Sequence, residues 1–499
     1  MKSRNAPPRA DAMIEALRGL GYSLPSALAD IIDNSIAAEA SEIDVTFVWN
    51  GAKSFIRVHD NGTGMDEAEI DLAMRLGEKN PLHSRNASDL GRFGLGLKTA
   101  SFSQCRRLTV ATVKNFQINC LRWDLDVLAG SSDGAWHLLE GPADGSEDLL
   151  QILSPDRSGT IVIWEVLDRI VTAGFVEQDL LDLIDTVERH LAMVFHRYIE
   201  GARARIQIKI NGRTVRAWDP FFISHSATWT SPIERLPTAS GLIEIQSHIL
   251  PHRDRLTQAE HLYGEGPDGW TAQQGFYVYR NERLLLSGSW LGLGRGRSWT
   301  KEESHRLARI RLDIPNSADI DWKIDVRKST ARPPVQIRER LMLIAEDARE
   351  RARRVFAHRG NYKKTADGTP IEHAWLSEKS RAGISYRINA KHPAIKGLLD
   401  DAGPLKSRIQ VLLRILEETV PVQKIWLDTV EAKDTPRTNF SGQPNEHVNE
   451  VLLAMYEDMT TRRGMSCALA KLTLGTTEPF HNFPFLISAL PEEHINVDK

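Results

Sequence analysis

Three short pieces follow one another within residues 28–99, in an order that few folds can accommodate. They are Asp30-Ile31-Ile32-Asp33-Asn34, Asp60-Asn61-Gly62-Thr63-Gly64-Met65, and Gly91-Arg92-Phe93-Gly94-Leu95-Gly96-Leu97-Lys98-Thr99. Asp30 and Asn34 are one helical turn apart, so their side chains converge on one object, such as a metal. Asp60 opens a turn with two glycines, which lets backbone come close to a flat ligand. The third piece is a glycine-rich loop that runs into a helix start, where free N–H groups and one lysine suit phosphates. Together the pieces predict one nucleotide site.

The intervening sequence supports that reading. Residues 27–38 have the spacing of a helix capped by Ser26, with Leu28, Ile31, Ile32 and Ser35 on its buried face. Residues 44–49 and 54–59 alternate about Asn50-Gly51, a strong hairpin signal. Residues 66–76 read as a helix, and the polar stretch 77–90 has the length of a lid. A P-loop is excluded: Leu97 stands between Gly96 and Lys98, and no buried strand precedes the glycines. Leu291-Gly292-Leu293-Gly294-Arg295-Gly296 lacks the helix of a dinucleotide turn, and Glu431-Ala432-Lys433 lacks the partner acid of a nuclease.

Bulk properties narrow the classes. The chain has 499 residues, with 63 Lys+Arg against 66 Asp+Glu, a net charge of -3. Any contact with nucleic acid therefore needs a local patch. Arg295, Arg297, Lys301, Arg306, Arg309 and Arg311 form one candidate, diluted by Glu302, Glu303 and Asp313. Three cysteines without metal spacing fit a reducing cytosol, and a cytoplasmic location is expected. No apolar run reaches the length of a membrane span.

Further along, strands are expected at 107–113, 116–124 and 159–164, then an amphipathic helix at 178–197. A second module of mixed strands opens with the alternating 205–210 and a turn at Asn211-Gly212. It continues through 241–250, 275–280 and 306–314 to a helix at 335–356. Beyond residue 357 the signal thins to helices at 406–419 and 446–462, with a loop at 433–444. The fold class is α+β.

In this order and spacing, the three pieces resemble the ATP site of the GHKL (Bergerat-fold) superfamily. It includes DNA gyrase B, the heat-shock protein 90 chaperones, MutL, histidine kinases and the MORC ATPases. Ile208-Lys209-Ile210-Asn211-Gly212, Trp218-Asp219-Pro220-Phe221 and Gly275-Phe276-Tyr277-Val278-Tyr279-Arg280-Asn281-Glu282-Arg283 are similar to the second, S5-fold domain of MORC and MutL proteins. Trp322-Lys323-Ile324-Asp325-Val326-Arg327-Lys328-Ser329 looks like that domain's lysine-bearing segment. The resemblance implies a bacterial MORC-like protein. Its expected parts are a GHKL α/β sandwich ATPase domain at 1–170, an S5-fold transducer domain at 171–357 and a mainly helical region at 358–499.

The same resemblance implies roles. Asp30 is the general base, and Asn34 is a ligand of Mg²⁺. Asp60 accepts from the adenine amino group. Gly62 and Gly64 admit the base, Met65 lines its face, and Thr160 supports Asp60. Gly91, Phe93, Gly94, Leu95, Gly96, Leu97 and Lys98 wrap the triphosphate of ATP. Lys328 reaches the γ-phosphate from the second domain. Two departures from the family pattern imply slow turnover: Asp30 is one methylene shorter than the usual Glu, and Ala37 stands where Asp is common. Asp33 is a rival base that helix phase turns elsewhere. The implied partners are a second copy in an ATP-dependent dimer, DNA, and a nuclease or helicase, in restriction or phage defence. A chaperone of the heat-shock protein 90 type and an ATP-gated recruiting module with negligible turnover stay open.

Overall fold

The computed structural model describes residues 8–19, 21–77, 96–131, 133–200, 204–319, 321–324, 331–357, 371–380, 383–425 and 446–492. The chain divides into two compact units. The first is built from Met1–Leu250, Gln258–Lys301 and Ala308–Arg349, the second from Pro251–Thr257, Glu302–Leu307 and Glu350–Lys499. The architecture is mixed α+β, with two large sheets in the first unit.

In chain order the first unit begins with helices α1 (Ala10–Arg18) and α2 (Leu24–Ala37) and strands β1 (Glu42–Val48) and β2 (Phe55–Asp60). Then come α3 (Glu67–Met74), α4 (Gly96–Phe102), β3 (Arg107–Lys114), β4 (Gln117–Asp124), α5 (Leu125–Gly130), β5 (Leu139–Glu140) and β6 (Gly159–Glu165). Helices α6 (Glu177–Val194) and α7 (His196–Ile199) lead to the short hairpin β7 (Gln207–Ile210) and β8 (Arg213–Thr214). These eight strands form one sheet in the order β5-β4-β3-β6-β2-β1-β7-β8. Strands β3 and β6 are buried almost end to end, as central strands covered on both faces are. Strands β1 and β2 alternate, with Ile43, Val45, Phe47, Ile56 and Val58 turned inward.

Local chemistry explains several boundaries. Helix α2 begins at Leu24, three residues before the expected start. The Ser23 side chain is its N-cap, accepting from the Ser26 N–H, and Pro25 fits the first turn because no helical bond needs its missing N–H. Asp66 and Glu69 form a capping box on α3. The hairpin of β1 and β2 is not closed by a two-residue turn at Asn50-Gly51. Val48 pairs with Phe55, and the loop between them holds a 3-10 turn at Gly51–Lys53. Asn211-Gly212 does make the two-residue turn: both residues have positive φ and Ile210 faces Arg213. That hairpin was expected to open the second module. It extends the first sheet instead, because β7 pairs in parallel with β1.

The second sheet of this unit comprises β9 (Trp229–Thr230), β10 (Glu234–Thr238), β11 (Gly241–Ile249), β12 (Gly275–Arg280), β13 (Arg283–Ser289) and β14 (Ala308–Ile314). Its order is β10-β11-β14-β12-β13, with β9 on β11. Helix α8 (Gln258–Glu265) precedes β12, and α9 (Val335–Phe356) follows the sheet, with the bounds that its periodicity predicts.

The second unit holds helices at Pro393–Asp401, Lys406–Glu418, Glu446–Glu457, Cys467–Gly475 and Pro484–Ser488. Val448, Leu452, Tyr456, Ala470, Leu474 and Phe480 belong to its core. It also contains an antiparallel hairpin of Trp375–Ser380 with Gly383–Ile388, which was not foreseen. Among the described residues no helix is long and apolar enough to cross a membrane.

Candidate nucleotide site

The end of β2, helix α2 and the start of α4 meet at one place. Asp60 is the last residue on the inward row of β2, in phase with Ile56 and Val58, so period-2 alternation alone drives a carboxylate into the interior. It is only 5% exposed. Ser35 Oγ donates to Asp60 Oδ2 at 2.7 Å, and the Gly62 N–H donates to Oδ1 at 2.9 Å. Burial pushes the Asp60 carboxyl above its ordinary range, while Ser35, Gly62, the His59 charge and the Thr160 N–H pull the other way. A buried acceptor with two fixed donors has a defined orientation, as recognition of an amino group requires.

The strands behind Asp60 complete this end. Thr160 faces it across the β2–β6 pairing. Thr112 Oγ1 accepts from the Met65 N–H at 2.9 Å, donates to the Gly159 carbonyl at 3.1 Å and lies 3.1 Å from Thr160 Oγ1. Thr112 thus ties the Met65 backbone to β6. The glycines are steric requirements. A Cβ on Gly62 would stand 2.8 Å from the Ala38 carbonyl oxygen. One on Gly64, at φ +65°, would stand 1.9 Å from the Val113 carbonyl oxygen. Gly64→Ala is therefore expected to lower stability by about 2–4 kcal/mol in chemical denaturation. Gly51→Ala, with nothing within 4 Å of its Cβ and φ +53°, is expected to cost about 1–2 kcal/mol from backbone strain alone.

Asp30 lies on α2, 7% exposed. The Tyr22 hydroxyl donates to its Oδ2 at 3.1 Å, and Arg283 Nη2 approaches its Oδ1 at 3.5 Å. A Cβ on Gly96 would lie 3.8 Å from Asp30 Oδ2, so the first residue of α4 borders this carboxylate. Asn34, one turn on, is exposed, and its Nδ2 donates to the Asp30 carbonyl oxygen at 3.1 Å. Its amide oxygen is the side chain's remaining polar atom. Among the described residues no group of three His, Cys, Asp or Glu side chains could hold a metal. One amide oxygen at an exposed position fits Mg²⁺, which keeps several waters and is bound largely through phosphates.

Residues 22–160 match the model of the family described as histidine kinase-, DNA gyrase B-, and HSP90-like ATPases. These residues are a GHKL ATPase domain. The chain is also similar to proteins of the MORC and MutL branch. It is 33% identical over 97 residues to "ATPase morc-1" of Caenorhabditis elegans, covering 19% of this chain and 11% of that protein. It is 27% identical over 272 residues to "DNA mismatch repair protein MutL" of Shewanella piezotolerans, covering 52% of this chain and 38% of that protein. The MutL of Rhizobium leguminosarum bv. trifolii is 34% identical over 88 residues, 17% of this chain and 14% of that protein. The chain thus spans well under half the length of these relatives.

Within the GHKL domain two expected residues have other surroundings. Lys98, expected on the triphosphate, is 2% exposed, and its Nζ donates to the Ala73 carbonyl oxygen at 2.8 Å in the last turn of α3. Asp33 is paired with Arg283 from β13, whose Nε lies 3.1 Å from both carboxylate oxygens. Gly91, Phe93, Gly94, Leu95, most of the expected lid and Lys328 lie outside the described residues, as do Glu431 and Lys433. The Arg332 N–H donates to the carbonyl of the fully buried Trp322, and these two residues flank the Lys328 segment in sequence.

The basic cluster at 295–311 is divided: Arg295, Arg297 and Lys301 are exposed, whereas Arg306 and Arg309 are buried. Arg309 is fully buried and donates to the Pro220 and Gly264 carbonyls at 2.8 and 2.7 Å. Arg295 pairs with Glu346, Arg306 with Glu303 and Arg311 with Asp313.

Reasoning from the sequence missed Tyr22, Thr112 and Arg283 as site residues. Tyr22 precedes α2 by two residues and belongs to none of the three pieces. Arg283 closes the 275–283 motif, but its partner Asp33 is 250 residues away and no local pattern marks that pairing.

Proposed function

We propose that this chain is an ATP-binding and ATP-hydrolysing switch whose ATP-bound form dimerises and acts on DNA. The observation that carries the reading is the buried Asp60 carboxylate, oriented by Ser35 and Gly62 at the strand end. Asp30 and Asn34 lie on the neighbouring helix. Asp60 accepts from the adenine amino group, and the Gly62–Gly64 backbone lies along the base with Met65. Asp30 orients the attacking water and accepts its proton, held in place by Tyr22. Asn34 holds Mg²⁺, which when bound supplies charge neutralisation across the phosphates. Gly96 and Leu97, with Gly91, Phe93, Gly94 and Leu95, lie along the triphosphate, and Lys98 moves from Ala73 to the phosphates when nucleotide is present. Lys328 contacts the γ-phosphate and so reports ATP against ADP.

In this reading residues 1–170 bind ATP, 171–357 transmit its state and 358–499 engage a nuclease or helicase partner in the cytoplasm. The similarity to proteins named as DNA mismatch repair proteins supports a role in DNA transactions, and restriction or phage defence is the finer part of this proposal. One observation favours a second reading, a recruiting module with negligible turnover. Asp30, short for its role, is already engaged by Tyr22 and Arg283.

Light scattering tests the switch. With Mg²⁺ and ATP the mass is expected to double, and with ADP it is expected to stay that of one chain. An unchanged mass with ATP overturns the dimerising switch. Wild-type turnover no faster than that of an Asp30→Asn control, with the ATP-dependent dimer still formed, selects the second reading.

A further inference from the structure

We propose that Arg283 is a positioning residue for ATP hydrolysis, locking Asp30 in orientation while clamping the α2 helix to the second sheet. The inference rests on the ATPase reading above and adds a residue to it. Arg283 is the first residue of β13, directly after a two-residue turn in which Asn281 and Glu282 have φ of 48° and 68°. That turn fixes the register of Arg280 opposite Arg283, and so fixes where the guanidinium starts. From there the side chain enters the first domain's helix layer and is only 4% exposed.

Its donors are divided between two carboxylates one turn apart. Nε lies 3.1 Å from each oxygen of Asp33, Nη2 lies 3.5 Å from Asp30 Oδ1, and Nη1 donates to the Leu284 carbonyl at 2.8 Å. The Phe195 ring stands 5.8 Å from the guanidinium carbon. A planar fork can address two carboxylates and a carbonyl at once, and a lysine ammonium cannot reproduce that geometry. The imidazole that shares its cavity does not compete. His190 lines the same small cavity as Arg283, Ser26 and Ser287, and burial followed by the Arg283 charge lowers it to about 4. It stays neutral at physiological pH.

The consequence is mechanical as well as electrostatic. Asp33 Oδ1 and Oδ2 anchor the arginine, and the arginine then restrains Asp30 opposite the Tyr22 hydroxyl. Any displacement of the β12–β13 hairpin is passed to the base through one side chain. Asp33, the rival base, has a structural task and not a catalytic one.

Steady-state ATP hydrolysis by wild type, Arg283→Lys, Arg283→Ala and Asp33→Asn tests this. Arg283→Lys keeps a cation for Asp33 and is the variant expected to fold if Arg283→Ala does not. It is expected to lower kcat about tenfold while KM for ATP stays within about twofold. Added guanidinium is expected to restore part of the kcat of folded Arg283→Ala. Asp33→Asn, which loosens the anchor, is expected to shift kcat in the same direction and also to leave KM alone. Arg283→Lys with wild-type kcat, or with KM raised as much as kcat falls, overturns the positioning role alone. A wild type that does not hydrolyse ATP overturns the ATPase reading and this inference together.

Discussion

Asp60→Asn is expected to weaken ATP binding severely without unfolding the chain. The asparagine side chain is isosteric, and its oxygen can still accept from the Gly62 N–H, as Asp60 Oδ1 does at 2.9 Å. Its amide nitrogen can donate to Ser35 Oγ, which then turns its own proton away. The packing around Asp60, including Gly62 and Gly159, is therefore kept. The adenine amino group, however, now meets a site that has lost the ionised acceptor, and an unpaired polar group buried on binding carries a full desolvation penalty. Affinity for ATP is expected to fall about 100-fold or more.

The stability effect has the opposite sign. Burial raises the Asp60 carboxyl above its ordinary value of 3.8, so the folded state holds its proton more tightly than the unfolded state. Ionisation of Asp60 therefore removes stability as pH rises from 3.8 through the raised folded value, and the loss persists at neutral pH. The asparagine variant lacks that loss. Its thermal midpoint at neutral pH is expected to equal or exceed that of wild type, and its advantage is expected to vanish at acidic pH. Titration calorimetry and thermal melts check both halves. A variant that melts well below wild type contradicts this account of Asp60.

Asp30→Asn is expected to separate binding from chemistry. Asp60 and its donors, Ser35 on α2 and Gly62 after β2, are not altered by the substitution, so ATP binding stays within a few fold of wild type. The asparagine cannot take a proton from water, and general-base catalysis contributes about 100-fold or more to such reactions. The fold is expected to survive, because Asp33 keeps Arg283 paired and Tyr22 can bond the new amide oxygen. Single-turnover hydrolysis measures the rate. A rate equal to wild type removes Asp30 from the base position.

Much of the site was legible because its parts are local. A four-residue spacing put Asp30 and Asn34 on successive turns of α2, and strand alternation carried Asp60 inward. The glycines at 62 and 64 were expected to admit a ligand to the backbone, and the close approaches found there are to the Ala38 and Val113 carbonyls. What stayed hidden depends on groups far apart in the chain. Nothing near Arg283 predicts its pairing with Asp33, and nothing near Lys98 predicts the Ala73 carbonyl. The 207–214 hairpin was legible as a hairpin, but its sheet was decided by parallel pairing with β1, a contact without a local sequence signal. The Ser23 cap was missed because two serines, Ser23 and Ser26, compete for one helix start. The basic run at 295–311, one candidate patch diluted by acids, shows the complementary limit. Arg309 is out of phase with the buried Ala308, Ile310 and Leu312 of β14, yet it is covered by the Pro220 and Gly264 carbonyls and the Trp218 and Trp270 rings, and composition cannot register burial.

The central claim is that the buried Asp60 acceptor makes this an adenine-nucleotide site. Equilibrium binding of ATP and of GTP to the wild-type chain with Mg²⁺ tests it most directly. The account predicts saturable binding of one ATP per chain, with GTP weaker by about 100-fold or more, because guanine presents a carbonyl where adenine presents its amino group. Equal affinity for the two nucleotides, or binding of neither, contradicts it.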